Sequence, residues 1–373
     1  PEISSYIHLL VVMALVSARS VDLAKTLSAK LFNYAQSMNR RTLDEVHAQA
    51  AYFWALTHEK AGSSASLRDP LLAAYRTATL RHDYTGQAML INLLLRNYVQ
   101  HHLYYAADML VSKVKFPETR SNNQLARYLY YVGRVRAVQL DYSEAFRCLQ
   151  EALRKSPQHG ALGFRCNLQK FVIVVQLLMG EIPDRSVYRQ PGMTKALSPY
   201  LAVTQALRVG DLVAFQRVME ASGSVFQKDD TLSLVRRLHH NVIKTGLRKI
   251  NTSYSRISIA DVAKKLNLES VQDTECIVAK AIRDRVIDAV IDHDKGFIRS
   301  KEHLDIYSTI EPSDAFHNRI AFCLKIHNEA VRAMRFANRR NELEDAEARR
   351  ERLKEEQELA EAFAEDEPED DDL

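Results

Sequence analysis

The histidines and cysteines of this 373-residue sequence are the side chains most suited to binding a metal or acting as a nucleophile, but their spacing argues against both. The four cysteines are far apart and form no CxxC pair, the spacing typical of zinc sites: Cys148, Cys166, Cys276 and Cys323. His101–His102 and His239–His240 are adjacent pairs, which point about 100° apart on a helix and cannot share one metal. Asp292–Asp294 reads Asp-His-Asp, but it lies in a predicted hairpin turn, where solvated polar residues are the simpler interpretation.

Recognisable catalytic motifs are also absent from the sequence. It contains no glycine-rich phosphate loop ending in Gly-Lys and no GxGxxG, HExxH or GxSxG motif. The HxH pair with a spaced aspartate that marks deubiquitinases of the JAMM type is missing as well. We therefore predict that the protein is not an enzyme and has no cofactor. The scattered cysteines are typical of a reducing compartment, so we expect a cytoplasmic and nuclear protein.

The composition favours helices. Eleven glycines and nine prolines are few for this length, and 46% of the residues are hydrophobic. The longest apolar runs, Leu9–Val16 and Phe171–Val175, are far shorter than the roughly 18 residues that cross a bilayer, so no membrane partner is expected. Since the sequence begins at Pro1, we expect the natural N-terminus to be missing.

Apolar residues recur at helical spacing throughout residues 3–249, which predicts a helical solenoid over residues 1–250. The clearest repeat is LARYLYYVGRVRAVQLDYSEAFRCLQEALRKSP, which ends at Pro157. It resembles a tetratricopeptide (TPR) unit, because three small residues fall where two antiparallel helices approach closely: Gly133, Ala145 and Ala152. Later segments keep the paired helices and lose this pattern. The sequence therefore predicts a mainly α fold, a TPR-like helical-repeat solenoid whose later helix pairs no longer follow the TPR pattern.

Residues 251–305 have the pattern of a winged helix. Ser258 and Ser270 each precede an aspartate by three residues, which resembles the capping box at a helix start. These caps predict helices at about Ile259–Leu266 and Val271–Arg283. The β-branched residues on both sides of Asp-Lys-Gly in RVIDAVIDHDKGFIRS then predict a hairpin.

Winged helices often bind nucleic acid, but the charge of this one favours a protein partner. Residues 254–303 contain nine basic and nine acidic residues, whereas binding to phosphates needs an excess of positive charge. An exposed sheet edge, in contrast, can pair with a strand of another protein. We predict a protein interface at this edge formed by apolar hairpin residues: Val286, Ile287, Val290, Ile291, Phe297 and Ile298. Packing against the module's own helices is the alternative.

Residues 306–363 predict C-terminal helices that assemble with other chains. The stretch Ser313–Asn338 has apolar residues on more than one stripe, which a lone surface helix does not need. Burial in a multi-chain helical bundle would explain them, and packing onto their own domain is the alternative. The predicted bundle residues are Ile320, Leu324, Val331 and Met334. A second, polar helix is predicted at about Asn341–Phe363, and residues 364–373 are predicted to be an acidic disordered tail.

The formal net charge of +4 hides a strong asymmetry along the chain. Residues 341–373 hold 16 acidic and 4 basic residues, so the rest of the chain is strongly positive. A set of basic solenoid residues forms either an ordinary solvated face or a cradle for an acidic partner: Arg134, Arg136, Arg147, Arg154, Lys155 and Arg165.

A helical-repeat solenoid followed by a winged helix and C-terminal helices resembles the PCI family. Its members are scaffold subunits of the proteasome lid, the signalosome and a translation initiation factor complex. YSRISIADVAKKLNL and VIDAVIDHDKGFIRS are similar to the winged-helix pattern of this family. YSTIEPSDAFHNRIAFCLKIHNEAVRAMRF, residues 307–336, resembles the C-terminal segment of a lid member. On this resemblance the PCI domain includes the helices from about residue 160.

The resemblance implies a non-catalytic scaffold of the proteasome regulatory particle lid, present once per lid, that supports ubiquitin-dependent degradation. The implied partners are other PCI lid subunits, the lid deubiquitinase and its partner subunit in a C-terminal helical bundle, and a small acidic disordered lid subunit. A PCI subunit of the signalosome or the initiation complex is the alternative within the family. A nucleic-acid-binding winged-helix protein is the alternative from another class.

Overall fold

The structure is a computed structural model that describes residues 2–365 except 39, 118–120, 158–159, 269, 302–306 and 308–309. In the last helix, side chains at 335–345, 355–356 and 358–365 are not described. The chain divides into two compact units, Pro1–Ser300 and Lys301–Leu373.

Helices occupy most of the first unit, as the spacing of apolar residues predicts. They are α1 Glu2–Ser17, α2 Val21–Ser37, α3 Asp44–Lys60, α4 Arg68–Leu80, α5 Tyr84–Gln100, α6 Tyr104–Lys113, α7 Asn122–Val138, α8 Tyr142–Lys155, α9 Leu162–Met179, α10 Arg185–Tyr188, α11 Thr194–Val209, α12 Leu212–Lys228 and α13 Leu232–Ser253. Consecutive helices pack as pairs, such as α2 with α3, α4 with α5 and α7 with α8. Helices α3, α5 and α7 also pack on one another in a row, which is the arrangement of a solenoid.

The predicted TPR unit folds as the pair α7 and α8. Asp141 begins α8, because its carboxylate accepts a hydrogen bond from the backbone N–H of Glu144. Ala145 and Ala152 are completely buried where the helices meet. A Cβ atom added at Gly133 would lie 2.7 Å from Cγ of Leu149, so the close approach of the pair requires glycine there.

Replacing Gly133 with alanine is expected to lower the free energy of unfolding by about 1–3 kcal/mol, because the added methyl group overlaps Leu149 and forces the helices apart. Urea denaturation of the full chain measures the change. Gly223 is the matched control, since it lies inside α12 and an added Cβ there meets nothing within 4 Å. Gly223→Ala is expected to stabilise the chain by about 0.5–1 kcal/mol. Equal destabilisation by both substitutions would contradict the close-packing explanation.

Two large hydrophobic clusters fill the first unit. One joins α2 to α7 and includes the stacked rings of Phe32 and Trp54, whose centroids are 4.2 Å apart. The other extends from α7 to the last strand and includes Phe171, Leu238 and Val262. The later solenoid helices and the winged helix therefore share one core.

Helix α9 is long and apolar enough to pass as a membrane span, with 18 residues and a mean hydropathy of 1.3. It packs against α8, α11 and α13, and nine of its 18 residues are buried. Residues 168–175 form an unbroken buried run. The apolar character of α9 is explained by its central place in the shared core.

The winged helix consists of β1 Arg256–Ser258, α14 Ile259–Leu266, α15 Val271–Arg283, β2 Ala289–Asp292 and β3 Phe297–Ser300. Both predicted caps are present: the hydroxyl of Ser258 accepts a hydrogen bond from the N–H of Asp261, and that of Ser270 from the N–H of Asp273. The antiparallel sheet has the order β1-β3-β2. Sequence patterning predicted the hairpin of β2 and β3 but not the three-residue strand β1.

Among the described residues of the second unit there is one long helix, α16, over Glu311–Glu365. The prediction of two helices with a break near residue 340 is wrong, because the sequence has no glycine or proline between Ser313 and Glu367 to interrupt the helix. The predicted acidic tail begins at 364, but residues 364 and 365 still belong to α16. Residues 366–373 of that tail lie outside the described residues.

Candidate protein-interaction surfaces

The three-stranded sheet offers two free edges to another strand. Strand β3 is central, since it pairs with β1 on one side and with β2 on the other. Phe297 and Ile298 lie on β3, so their backbone groups are not at an edge. Within the described part of the chain, β1 and β2 each have one unpaired side, and β2 is the edge nearest to the predicted interface residues.

The predicted interface residues of the hairpin have very different exposures. Ile287 and Ile298 are each only 5% exposed and belong to the shared core. Val286 and Ile291 are half-buried and pack against that core. Val290 is 53% exposed, because its side chain is on the opposite face of β2 from Ile291. The alternative of packing against the module's own helices therefore holds for Ile287 and Ile298.

The outer face of the sheet carries an aromatic ring flanked by arginine. The guanidinium of Arg256 lies 3.5 Å from the ring centroid of Phe297, which is half-buried. Arg256 is paired in register with Arg299, and Arg299 with Val290. Val290, Phe297 and the free edge of β2 together form the part of the predicted interface that a partner can reach.

Three ion pairs involve residues of the winged helix and its hairpin turn. Lys244 pairs with Asp284 at 3.1 Å, and His293 contacts Glu275 at 2.7 Å. Lys295 lies 3.9 Å from Asp292 in the hairpin turn. The helix α15 thus presents carboxylates among its basic residues, which is unfavourable for a surface that must approach phosphates.

His293 connects the hairpin turn to α15 in a pH-dependent way. Its Nδ1–H donates to the Glu275 carboxylate, and this hydrogen bond, with the carboxylate charge, raises the pKa of His293 above its ordinary value. The ion pair is therefore present below the raised pKa and is lost as the pH rises through it. An NMR titration of His293 should show a midpoint above 6.5, and Glu275→Gln should return it towards 6.5. An unchanged midpoint in that variant would contradict the contact.

Helix α16 carries apolar residues on two opposite sides. The predicted residues share one stripe, because their positions differ by multiples of a helical turn: Ile320, Leu324, Val331 and Met334. Phe322 and Ile326 are four residues apart on the opposite side. Of the predicted residues Val331 is half-buried, and the other three are exposed.

The six basic residues predicted to face an acidic partner lie on α7, α8 and α9. Arg134 is only 12% exposed, since it pairs with Asp230 at 3.2 Å and lies over the ring of Phe171. Arg134 connects α7 to later helices and does not lie on an open solvated face, and its contact with an acidic partner stays a prediction. Arg136 pairs with Asp108, and Arg147 pairs with Glu144.

Arg154 and Lys155 are the better candidates for an acidic partner. Arg154 and Lys155 are exposed in the last turn of α8. Arg165 is half-buried on α9. The C-terminal end of a helix carries partial negative charge, so Arg154 and Lys155 also stabilise α8 by themselves.

No catalytic centre is found in the part of the chain that the structure describes. Within it, no group of three or more His, Cys, Asp or Glu side chains is placed to hold a metal ion. All four cysteines are free thiols, and burial raises the pKa of Cys148, which makes this thiol less reactive.

Comparison with known proteins matches almost the whole chain to one family. Residues 1–204 match PSMD3-like, N-terminal TPR repeats, residues 218–302 match the PCI domain, and residues 305–372 match the C-terminal family of a proteasome regulatory subunit. The chain is 49% identical over 371 residues to "Probable 26S proteasome non-ATPase regulatory subunit 3" of Anopheles stephensi, covering 99% of this chain and 74% of that protein. It is 49% identical over 367 residues to the protein of that name from Drosophila melanogaster, covering 98% and 74%. The chain is also 48% identical over 336 residues to "26S proteasome non-ATPase regulatory subunit 3" of Dictyostelium discoideum. This match covers 90% of this chain and 67% of that protein.

Proposed function

The chain belongs to the 26S proteasome non-ATPase regulatory subunit 3 family, and we infer from this membership that it acts by docking other subunits rather than by catalysis. It is a scaffold subunit of the regulatory particle lid and supports ubiquitin-dependent protein degradation. It is therefore part of a hetero-oligomeric complex.

In this proposal three segments of the chain have different roles in assembly. Residues 1–250 form the solenoid arm, residues 251–305 contact other PCI lid subunits through the β2 edge and Val290, and residues 306–363 join the lid deubiquitinase and its partner in a helical bundle. The acidic segment 364–373 stays outside these contacts. One copy enters each lid, in the cytoplasm and the nucleus.

The observation that carries this proposal is the core shared by the solenoid and the winged helix. Because α9, α11, α13 and α14 pack into one cluster, the solenoid holds the sheet edge in a fixed orientation. A fixed edge supports pairing with a partner strand at a defined angle, which a scaffold needs. Exposed Arg154 and Lys155 offer contacts to the small acidic disordered lid subunit.

Purification of the tagged full-length chain under native conditions, followed by mass spectrometry of the intact complex, tests the proposal. We expect recovery at one copy per particle, together with proteasome ATPases and other lid subunits. Recovery with signalosome or initiation-factor subunits would overturn the lid assignment and keep the fold. Recovery alone or with nucleic acid would overturn the scaffold role.

A further inference from the structure

The outer side of β2 has backbone groups that no other strand in the described part of the chain uses. In an antiparallel sheet, the N–H and C=O groups of successive residues point to opposite neighbours. On β3 the N–H of Ser300 donates to the C=O of Ser255, so the next residue, Arg299, directs its backbone groups to its β2 partner Val290. The free side of β2 therefore presents the N–H and C=O groups of the two residues that flank Val290: Ala289 and Ile291.

The side chains on the outer face of this edge alternate acidic, apolar and acidic. Val290 is 53% exposed, and the two-residue period of a strand places Asp288 and Asp292 on the same face, one on either side of it. Asp288 is exposed and makes no ion pair among the described residues. Asp292 is half-buried, and its nearest cation is Lys295 in the hairpin turn, at 3.9 Å. Arg299 lies one strand inward and forms an ion pair with neither aspartate in the described part of the chain.

The inner face of the same edge is apolar. Ala289 is only 3% exposed, and half-buried Ile291 packs against the core that the winged helix shares with the solenoid. A strand that is added beside β2 places its own inner side chains opposite these two residues. The inner face of such a strand therefore extends an apolar core, and its outer face meets the two aspartates.

A second copy of this chain is a poor occupant of this edge. Antiparallel pairing of two β2 strands about Val290 places Asp288 opposite the Asp292 of the other copy, and like charges directly opposite destabilise a strand pair. Charged side chains on edge strands prevent this kind of self-pairing in natural sheets. The two aspartates thus disfavour self-association and favour a strand of opposite charge.

We propose that the partner strand on the free side of β2 carries a basic residue opposite Asp288, an apolar residue opposite Val290 and a basic residue opposite Asp292. The residues between these three face inward and are apolar. Side chains directly opposite each other in a strand pair have Cβ atoms about 4.5–5.5 Å apart, which lets a carboxylate pair with Lys or Arg. This pairing rests on the proposed function, since it defines the chemistry of the subunit surface that the winged helix contacts. The two aspartates then determine which subunit is accepted at the edge.

Photo-crosslinking from the edge identifies the strand in the assembled particle. The photoreactive residue p-benzoylphenylalanine replaces Val290 in the tagged full-length chain, the particle is purified under native conditions and irradiated, and mass spectrometry locates the cross-link. We expect one extended segment of another lid subunit, with Lys or Arg two residues before and two residues after the cross-linked position. A segment with Asp or Glu at these positions, or an incorporated chain that forms no cross-link to another subunit, would overturn the inference.

Charge reversal tests the same pairing with the natural side chain at Val290. The unmodified chain and Asp288→Lys, carrying different tags, are produced together in equal amounts, and mass spectrometry measures their ratio in the purified lid. We expect the variant to be under-represented by about fivefold, because one cross-strand pair changes from attractive to repulsive. Asp294→Lys is the matched control, since it makes the same charge change in the hairpin turn beyond the ends of β2 and β3, and an equal share is expected. Circular dichroism checks that both variants are folded.

A compensating change in the partner separates pairing from a folding defect. Replacing the partner's basic residue opposite Asp288 with glutamate should return Asp288→Lys to an equal share, which a misfolded variant would not regain. Equal incorporation of Asp288→Lys and Asp294→Lys, or no recovery with the altered partner, would overturn the inference and leave the scaffold role intact. Absence of the unmodified chain from the lid would instead overturn the proposed function.

Discussion

Asp229→Ala is expected to lower the free energy of unfolding by about 3–5 kcal/mol. The Asp229 carboxylate accepts a hydrogen bond from the ammonium group of Lys170 at 2.7 Å. Lys170 is only 8% exposed, so removal of its partner leaves a buried positive charge without compensation. An unpaired buried charge is among the most destabilising single changes in a folded protein.

The position of this pair in the fold adds to its importance. Lys170 belongs to α9, and Asp229 ends α12. The Tyr200 hydroxyl of α11 donates to the other carboxylate oxygen of Asp229 at 3.0 Å and contacts the Thr231 hydroxyl at 2.8 Å. Burial raises the pKa of the Tyr200 phenol, so it remains a neutral donor. The network therefore fixes α9, α11 and the start of α13 to one another beneath the winged helix.

Two further variants separate the loss of the charge pair from a general effect of substitution. Glu144→Ala removes an exposed ion pair with Arg147 and is expected to leave the free energy of unfolding nearly unchanged, because solvent screens this pair. Adding Lys170→Met to Asp229→Ala removes the unpaired charge and should restore part of the lost stability. Urea denaturation measures all three proteins. A double variant as unstable as Asp229→Ala would show that the uncompensated charge is not the cause.

Local signals in the sequence predicted the winged helix well. A serine three residues before an aspartate satisfies backbone N–H groups within the same turn, so the starts of α14 and α15 follow from neighbouring residues alone. Strand β1 was missed because it has only three residues and is stabilised by pairing with β3, about 40 residues further on. Its existence depends on tertiary structure, which local patterning does not contain.

Burial of individual interface residues was less predictable for the same reason. The apolar residues of the hairpin were predicted to form an interface. Ile287 and Ile298 are instead buried in the core that the winged helix shares with the solenoid. Arg134 was placed on the surface, although its partner Asp230 is 96 residues away in the sequence. Neither contact has a signal within a sequence window.

The groove lined by residues of α3, α5, α7 and α9 also escaped sequence patterning, because these helices are separated along the chain. One signal was present: Asn92 and Arg96 interrupt the apolar run MLINLLLRNYV, where polar residues need partners. Polar residues in an otherwise buried helix indicate either an internal hydrogen bond or a binding site. Asn97 has the first role, since it contacts Arg68 and the backbone of Ser64. Asn92 has this role as well, since its Nδ2 group donates to the backbone and side-chain oxygens of Gln124.

Replacing Ile320, Leu324, Val331 and Met334 together with glutamine is expected to prevent incorporation of the chain into the lid. Each apolar side chain contributes about 1.5–3 kcal/mol when it is buried, and a tenfold change in binding needs only about 1.4 kcal/mol. Even with substantial costs of association, loss of the whole stripe is expected to reduce recovery with other lid subunits by more than tenfold. Native purification followed by quantitative mass spectrometry measures this recovery.

A matched variant distinguishes the apolar stripe from the helix as such. Replacing Lys325, Asn328, Glu329 and Arg332 with glutamine changes as many positions of α16 and leaves the stripe intact, so normal incorporation is expected. Glutamine is a good helix former, and both variants should retain the helical content of the unmodified chain by circular dichroism. The first unit is compact by itself, so its thermal unfolding should not change in either variant.

Because apolar residues lie on two opposite sides of α16, we expect both of these sides to contact other subunits in the assembled complex. Substitution of Phe322 and Ile326 with glutamine should therefore also reduce incorporation, and more weakly, because fewer apolar groups are removed. If the four-residue variant entered the lid normally and the Phe322 and Ile326 variant did not, the predicted stripe would be wrong and the opposite side would make the contact. If the four-residue variant and the Phe322 and Ile326 variant both entered the lid normally, assembly would depend on the β2 edge of the winged helix. Val290→Lys would then be the substitution that prevents incorporation.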